Sequence, residues 1–61
     1  MRPKYSMGDE VVITAPGEYL NVVGTVIGVN INMGDGVQYS IYLQNTYTIV
    51  VNEGFLTGYV R

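Results

Sequence analysis

The chain lacks three residue types that carry much of protein chemistry, since it contains no cysteine, no histidine and no tryptophan. Without cysteine there is no disulfide framework and no thiolate nucleophile. Without histidine the usual general base and the commonest metal ligand are missing. No apolar run approaches the roughly 20 residues of a membrane helix, and the N-terminus has no signal-peptide core. We therefore expect a cytoplasmic protein that is not an enzyme, contacts no membrane and holds no cofactor.

Positive charge is also scarce. The three cations stand near the ends of the chain: Arg2, Lys4 and Arg61. The five carboxylates stand between them: Asp9, Glu10, Glu18, Asp35 and Glu53. Residues 5–60 therefore carry a net charge of −5. Nucleic-acid binding draws much of its affinity from Lys and Arg side chains at phosphates, so we expect no nucleic-acid partner.

The composition is apolar for so short a chain. Sixty-one residues make one domain near the lower size limit for independent folding. Hydrophobic residues make up 48% and charged residues only 13%, so some apolar side chains must face outward. Together with six tyrosines, this mixture is common where one protein docks on another. The alternative is a crowded core with tyrosines packed at its rim.

Strand signals recur along the chain, with turn signals between them. Five strands are predicted: 10–14, 22–31, 37–44, 47–51 and 57–60. The alternation is cleanest in the third, where the core-facing set is Val37, Tyr39, Ile41 and Leu43. No segment has a helical period over ten or more residues. The sequence predicts an all-β domain over residues 7–61, preceded by an N-terminal arm over residues 1–6.

Three irregular features are predicted within this framework. Isolated glycines in the second strand, Gly24 and Gly28, indicate bends, and the break in alternation at Gly28 indicates a β-bulge. Residues 32–36 are typical of a hairpin tip, and 45–46 of a tight connection. Residues 52–54 predict a single 3₁₀ turn that Glu53 helps to cap and that directs Phe55 and Leu56 inward.

The order of these elements resembles an SH3-like barrel. The residues that carry the resemblance are Gly8-Asp9-x-Val11-x-Ile13, Gly24-x-Val26-x-x-Val29, Tyr39-x-Ile41 and Glu53-x-x-Leu56. It implies a five-stranded SH3-like barrel with a short 3₁₀ turn before the last strand. Because these are structural residues, the resemblance concerns fold rather than activity.

Two families of such barrels resemble segments of this sequence more closely. The segment 19–26, Tyr-Leu-Asn-Val-Val-Gly-Thr-Val, is similar to one in photosystem I reaction-centre subunit IV, whose relatives are non-enzymatic accessory subunits. The segment 7–11, Met-Gly-Asp-x-Val, is similar to the start of the type II, plasmid-borne dihydrofolate reductases. Their active-site strand reads Val-Gln-Ile-Tyr, whereas residues 48–51 here read Thr-Ile-Val-Val. The resemblance therefore implies an accessory module and transfers no reductase residue.

Neither a catalytic nor a metal-binding set is visible in the sequence. Asp9 and Glu10 are adjacent at a strand start, so their side chains point to opposite faces and cannot act together as acid and base. Asp35 lies in a hairpin tip with too few oxygen ligands for calcium. Ser6 and Ser40 have no base to activate them.

Two surfaces are candidate binding sites. Tyr19, Tyr42, Tyr47 and Tyr59 form an aromatic groove in one interpretation and rim packing in the other, and Asn21 lies on the loop beside Tyr19. The second surface is an outward apolar set: Val12, Ile27, Tyr42 and Val50. Such a patch usually marks association, and self-association is the simplest form.

We therefore expect a non-catalytic protein-interaction module that forms a homo-oligomer or serves as an accessory subunit of a larger complex. The alternative is a homo-oligomeric binder of a small molecule, nucleotide-like or pterin-like, at a subunit interface.

Overall fold

The computed structural model describes residues 2–32, 34, 36–44 and 47–60. Over these residues the chain is all-β, as predicted, with five antiparallel strands and a lone 3₁₀ turn before the last one. The elements are β1 Glu10–Ile13, β2 Val23–Asn32, β3 Gly36–Leu43, β4 Thr48–Asn52, the 3₁₀ turn Glu53–Phe55 and β5 Leu56–Gly58. Each strand begins and ends within two residues of its predicted position. None of the described segments forms a helix long and apolar enough to cross a membrane.

The five strands form one sheet in the order β4-β3-β2-β1-β5. The first four strands follow one another as a meander, and β5 returns to pair with β1 on its far side. This arrangement is compatible with a small barrel. It leaves β4 and β5 as the two edge strands.

The predicted β-bulge lies in β2. The β2–β3 register shifts between Val26, which pairs with Ile41, and Gly28, which pairs with Ser40. The extra residue is Ile27, whose side chain is exposed. Gly24 has a different role from Gly28. A Cβ atom at position 24 would overlap Ile41 Cγ2 and come within 3.1 Å of the Tyr42 carbonyl oxygen. Glycine at position 24 thus lets β2 approach β3 closely.

The core is a single cluster of buried side chains from all five strands. Its members are Val11, Ile13, Val26, Val37, Tyr39, Ile41, Leu43, Val51 and Leu56. The four predicted core residues of β3 are all among them. The prediction for Phe55 was wrong, because its side chain is 45% exposed. Leu56 begins β5 and faces inward, whereas Phe55 ends the 3₁₀ turn, which contains no buried residue.

The N-terminal segment packs on this core. Tyr5 is half-buried, and its ring lies edge-on to that of Tyr39 with the centroids 5.5 Å apart. Ser6 and Asp9 form a turn in which the Ser6 N–H donates to Asp9 Oδ2 at 2.8 Å. Asp9 thus stabilises the turn that leads into β1.

The predicted hairpin tip at 32–36 joins β2 to β3, because Asn32 pairs with Gly36. Gly34 and Gly36 both have positive φ, which glycine adopts without a steric penalty. The other residues of this tip, Met33 and Asp35, lie outside the described residues. The predicted connection at 45–46 lies outside them as well.

Candidate functional site

The outer edge of β4 is the main feature that the fold leaves without a partner. Among the described residues, β4 ends the sheet and pairs only with β3. The Leu43 N–H donates to the Tyr47 carbonyl at 2.8 Å, which fixes the alternation of hydrogen bonds along this antiparallel pair. It follows that Ile49 and Val51 turn their backbone groups toward β3, whereas Thr48, Val50 and Asn52 turn theirs toward the edge. Over the described ranges, no backbone hydrogen bond outside the sheet reaches Thr48 or Val50.

The sequence of this edge is unusual for a strand in that position. Edge strands are commonly protected by a lysine, a proline or an inward-pointing charge. β4 reads Thr-Ile-Val-Val-Asn and has none of these. Val50, at its centre, is 60% exposed. The edge therefore presents unpaired backbone groups beside an apolar side chain, which is the chemistry that strand addition requires.

The outer face of the sheet next to β4 carries no charge. Across the β3–β4 pair, Tyr42 lies opposite Thr48, Ser40 opposite Val50, and Gln38 opposite Asn52. On β2 the neighbouring positions are Thr25, Gly28 and Asn30. None of these described positions holds an Asp, Glu, Lys or Arg residue. The face is thus neutral, with hydroxyl and amide groups around Tyr42 and Val50.

A row of amide side chains crosses this face and ends at the edge. The Asn32 Nδ2 group donates to Gln38 Oε1 at 2.9 Å. The Gln38 Nε2 group donates in turn to Asn52 Oδ1 at 2.9 Å. Because Asn52 accepts through its oxygen, its own NH₂ group remains as a donor at the end of the row.

Two open clefts lie on either side of Tyr19. The first, of about 450 Å³, separates the β1–β2 loop from β4; its lining includes Pro16, Tyr19, Val50 and Phe55. The second, of about 590 Å³, includes Tyr19, Gln44 and Tyr47. Tyr19 itself is half-buried and packs against the core. The loop thus borders the β4 edge without closing over it.

The structure brings together only some of the predicted site residues. Tyr19 shares the first cleft with Val50 and the second with Tyr47. Tyr42 lies next to β4 on the outer face. Tyr59 is at the opposite end of the sheet, where its N–H donates to the Glu10 carbonyl at 3.1 Å. It lies in a separate shallow cleft with Tyr5, so the four tyrosines do not line a common groove.

Asn21 has a conformational role in the loop. It has a φ of +68°, the only positive value among the described residues other than glycine. Its N–H donates to the Ile13 carbonyl at 2.8 Å, which closes the base of the β1–β2 loop. Asparagine tolerates this left-handed conformation better than most residues.

Sequence reasoning missed a polar cluster around the Tyr39 hydroxyl. This hydroxyl donates to Glu53 Oε2 at 2.7 Å and accepts from the Lys4 and Tyr5 N–H groups at 2.9 and 3.2 Å. The Lys4 N–H also reaches Glu53 Oε2 at 2.9 Å. The predicted cap was wrong, because no side chain caps the 3₁₀ turn. The Glu53 carboxylate instead accepts from the Tyr39 hydroxyl and from the backbone N–H of Lys4.

This cluster shifts the acid–base properties of both side chains. Burial, together with the hydrogen bond to Glu53, raises the pKa of the Tyr39 phenol. The hydrogen bonds from the Tyr39 hydroxyl and the Lys4 N–H lower the pKa of Glu53. The tyrosine is therefore neutral and the glutamate ionised over the physiological pH range.

Comparison of the chain with protein-family models, curated proteins and solved structures finds no match. Among the described side chains, no group of three or more carboxylates is placed to hold a metal ion.

Proposed function

We propose that this chain is a non-catalytic protein-interaction module that associates with copies of itself or docks as an accessory subunit on a larger complex. The observation that carries the proposal is the uncharged β4 edge. Its outward backbone groups and the exposed Val50 side chain are available to another polypeptide strand. Main-chain hydrogen bonds supply affinity in such contacts, and side-chain pockets supply selectivity.

The charge pattern favours a protein surface over a polyanion. Residues 5–60 contain five carboxylates and no cation. The outer face of β2, β3 and β4 offers amides, hydroxyls, Tyr42 and Val50, which can be buried without desolvating a charge. Neutral surfaces with exposed aromatic and aliphatic side chains are typical of protein interfaces.

The same proposal includes an SH3-like barrel as the fold. Three features support it: the four-strand meander, the fifth strand paired with β1, and the 3₁₀ turn between β4 and β5. Under this interpretation the open side of the barrel is the first cleft, between the β1–β2 loop and β4.

Sedimentation of matched variants tests the proposal. Val50→Lys puts a charge at the centre of the edge, and Ile31→Lys puts the same charge on β2. The two side chains are equally exposed, at 60% and 59%. We expect concentration-dependent association of the wild type, weakened roughly tenfold or more by Val50→Lys because the ammonium group must be desolvated. Ile31→Lys should associate as the wild type does.

A monomeric wild type throughout the accessible concentration range contradicts self-association. Equal weakening by both lysines contradicts the choice of surface. Thermal unfolding of each variant checks that the fold is retained.

The second candidate is a small-molecule binder whose site forms where copies meet. The observation in its favour is the pair of clefts around Tyr19, whose lining combines the Glu18 carboxylate with neutral groups that include Gln38, Gln44 and Asn52. A thermal-shift screen against nucleotides and pterins tests it, with Tyr19→Phe as a variant that retains the ring. A rise in melting temperature with ligand concentration supports this candidate, and no shift with any compound rejects it.

A further inference from the structure

We infer that the strand that pairs with β4 is β4 of a second copy, antiparallel and related by a two-fold axis through Val50. This inference rests on the proposed function, because it names the partner and register of the same surface. The pairing would join two five-stranded sheets into one continuous sheet. An isologous contact of this kind closes on itself and produces a dimer.

The backbone groups at the edge fit this register. Val50 turns both its N–H and its carbonyl outward, so Val50 and the partner's Val50 would donate to each other. Each Asn52 N–H would donate to the partner's Thr48 carbonyl. We assign no partner across the contact to the Asn52 carbonyl, because Asn52 is the N-cap residue of the 3₁₀ turn.

The side chains of β4 are self-complementary about the same axis. Val50 would lie beside its own copy on the outer face, with a polar pair, Asn52 and the partner's Thr48, on each side. Below the sheet, Ile49 would lie opposite the partner's Val51. Apolar groups therefore meet apolar groups, and polar groups meet polar groups, along the whole strand.

The amide row adds a specific contact. Asn52 Oδ1 already accepts from Gln38, which leaves the Asn52 NH₂ group as a donor at the end of the row. In the proposed register it comes next to the partner's Thr48 hydroxyl, which can accept a hydrogen bond. The row through Asn32, Gln38 and Asn52 would then continue onto the second copy.

Charge selects the antiparallel direction. Glu53 follows β4 directly. A parallel, in-register pairing would place it beside the partner's Glu53, which is unfavourable for like charges. The antiparallel register instead places each Glu53 near the partner's Tyr47, at opposite ends of the contact. Uncharged side chains occupy the whole of β4 between them.

Exposed aromatic side chains beside β4 would add area to the contact. A typical stable interface buries roughly 800 Å² per partner, about a fifth of the 4296 Å² surface of this chain. Tyr42, Tyr47 and Phe55 are exposed beside β4 and extend the edge on both faces. The other edge strand, β5, has only three residues. A contact between β4 and β5 of different copies would also be heterologous and would not close on itself as this one does.

Disulfide trapping tests the register, because the natural chain has no cysteine. Paired positions lie about 5.5 Å apart between Cα atoms, within the disulfide range. We expect Val50→Cys to form a covalent dimer under mild oxidation. Thr48→Cys mixed with Asn52→Cys should form a mixed disulfide at least about tenfold faster than either variant alone. In each single variant the two thiols lie roughly 14 Å apart, at 3.4 Å per residue. Ile31→Cys is the matched exposed control and should remain unlinked.

The outcomes separate this inference from the proposed function. Sedimentation that shows association, without trapping at Val50, overturns the β4 pairing and leaves the interaction module standing on another face. Trapping of Thr48→Cys with itself, in preference to Asn52→Cys, overturns the antiparallel direction. Absence of any association in sedimentation overturns the pairing and self-association together. Hydrogen exchange at the Val50 amide of wild-type protein applies the same test without any substitution.

Discussion

The hydroxyl of Tyr39 donates a 2.7 Å hydrogen bond to the carboxylate of Glu53, which links the centre of β3 to the 3₁₀ turn. The same hydroxyl accepts from the backbone N–H groups of Lys4 and Tyr5, so the N-terminal arm is held at the same point. One buried side chain thus joins three segments that are distant in sequence. Its removal should loosen all three.

Tyr39→Phe should lower the free energy of unfolding by about 1–3 kcal/mol, because it leaves the part-buried Tyr5 N–H without its acceptor and removes one of the two hydrogen bonds that Glu53 Oε2 accepts. Chemical denaturation measures the change. Tyr5→Phe is the matched control: its hydroxyl makes one hydrogen bond, to the Leu56 carbonyl at 3.2 Å, so about 0.5–1.5 kcal/mol is expected. An equal loss of unfolding free energy in both variants would show that the Tyr39 hydroxyl does not hold the three segments together.

Stability should fall in acid through Glu53. Its pKa is lowered in the folded protein, so the stabilisation is present above the unfolded value near 4.5 and is lost as the pH falls through the lowered pKa. Denaturation of the wild type and of Glu53→Gln between pH 7 and 3 should show a shallower acid decline in the variant. Parallel pH profiles would contradict this role.

Gly24→Ala should destabilise the fold by about 1–3 kcal/mol, because the added methyl group overlaps the buried Ile41 side chain. Gly58→Ala is the control on β5, where an added Cβ would meet nothing within 4 Å and φ is not positive. Its stability should equal or exceed that of the wild type. Melting temperatures provide the comparison, and a tolerated Gly24→Ala would show that β2 can move away from β3.

Two substitutions of Asn21 distinguish a conformational role of this residue from a binding role. Asn21→Gly keeps access to positive φ and should leave stability within a few tenths of a kcal/mol, whereas Asn21→Val should cost about 1–3 kcal/mol. If Asn21 instead serves a ligand or partner, Asn21→Gly should weaken association as measured by sedimentation while the melting temperature is unchanged.

The fold was predictable because its signals are local. Alternation in residues 37–44 identified the core face of β3, and the isolated Gly28 identified the bulge. Both follow from the two-residue period of a strand, which the sequence displays directly. Strand ends were less accurate, since hydrogen bonding to a neighbouring strand determines them.

The polar cluster and the edge could not be predicted in the same way. A tyrosine at a core position implies a partner for its hydroxyl, but the partner of Tyr39 is 14 residues away in Glu53 and 35 away in Lys4. Val50 was recognised as an outward apolar residue from its alternation with Ile49 and Val51. Its place on an edge strand became visible only with the strand order.

Amide hydrogen exchange along β4 in wild-type protein tests the β4 pairing most directly. Ile49 and Val51 turn their N–H groups toward β3, so their protection should not depend on protein concentration. Val50 and Asn52 turn theirs to the edge, so their exchange should slow as concentration rises and copies pair. Fast exchange at Val50 in a sample that sedimentation shows to be associated would contradict the pairing.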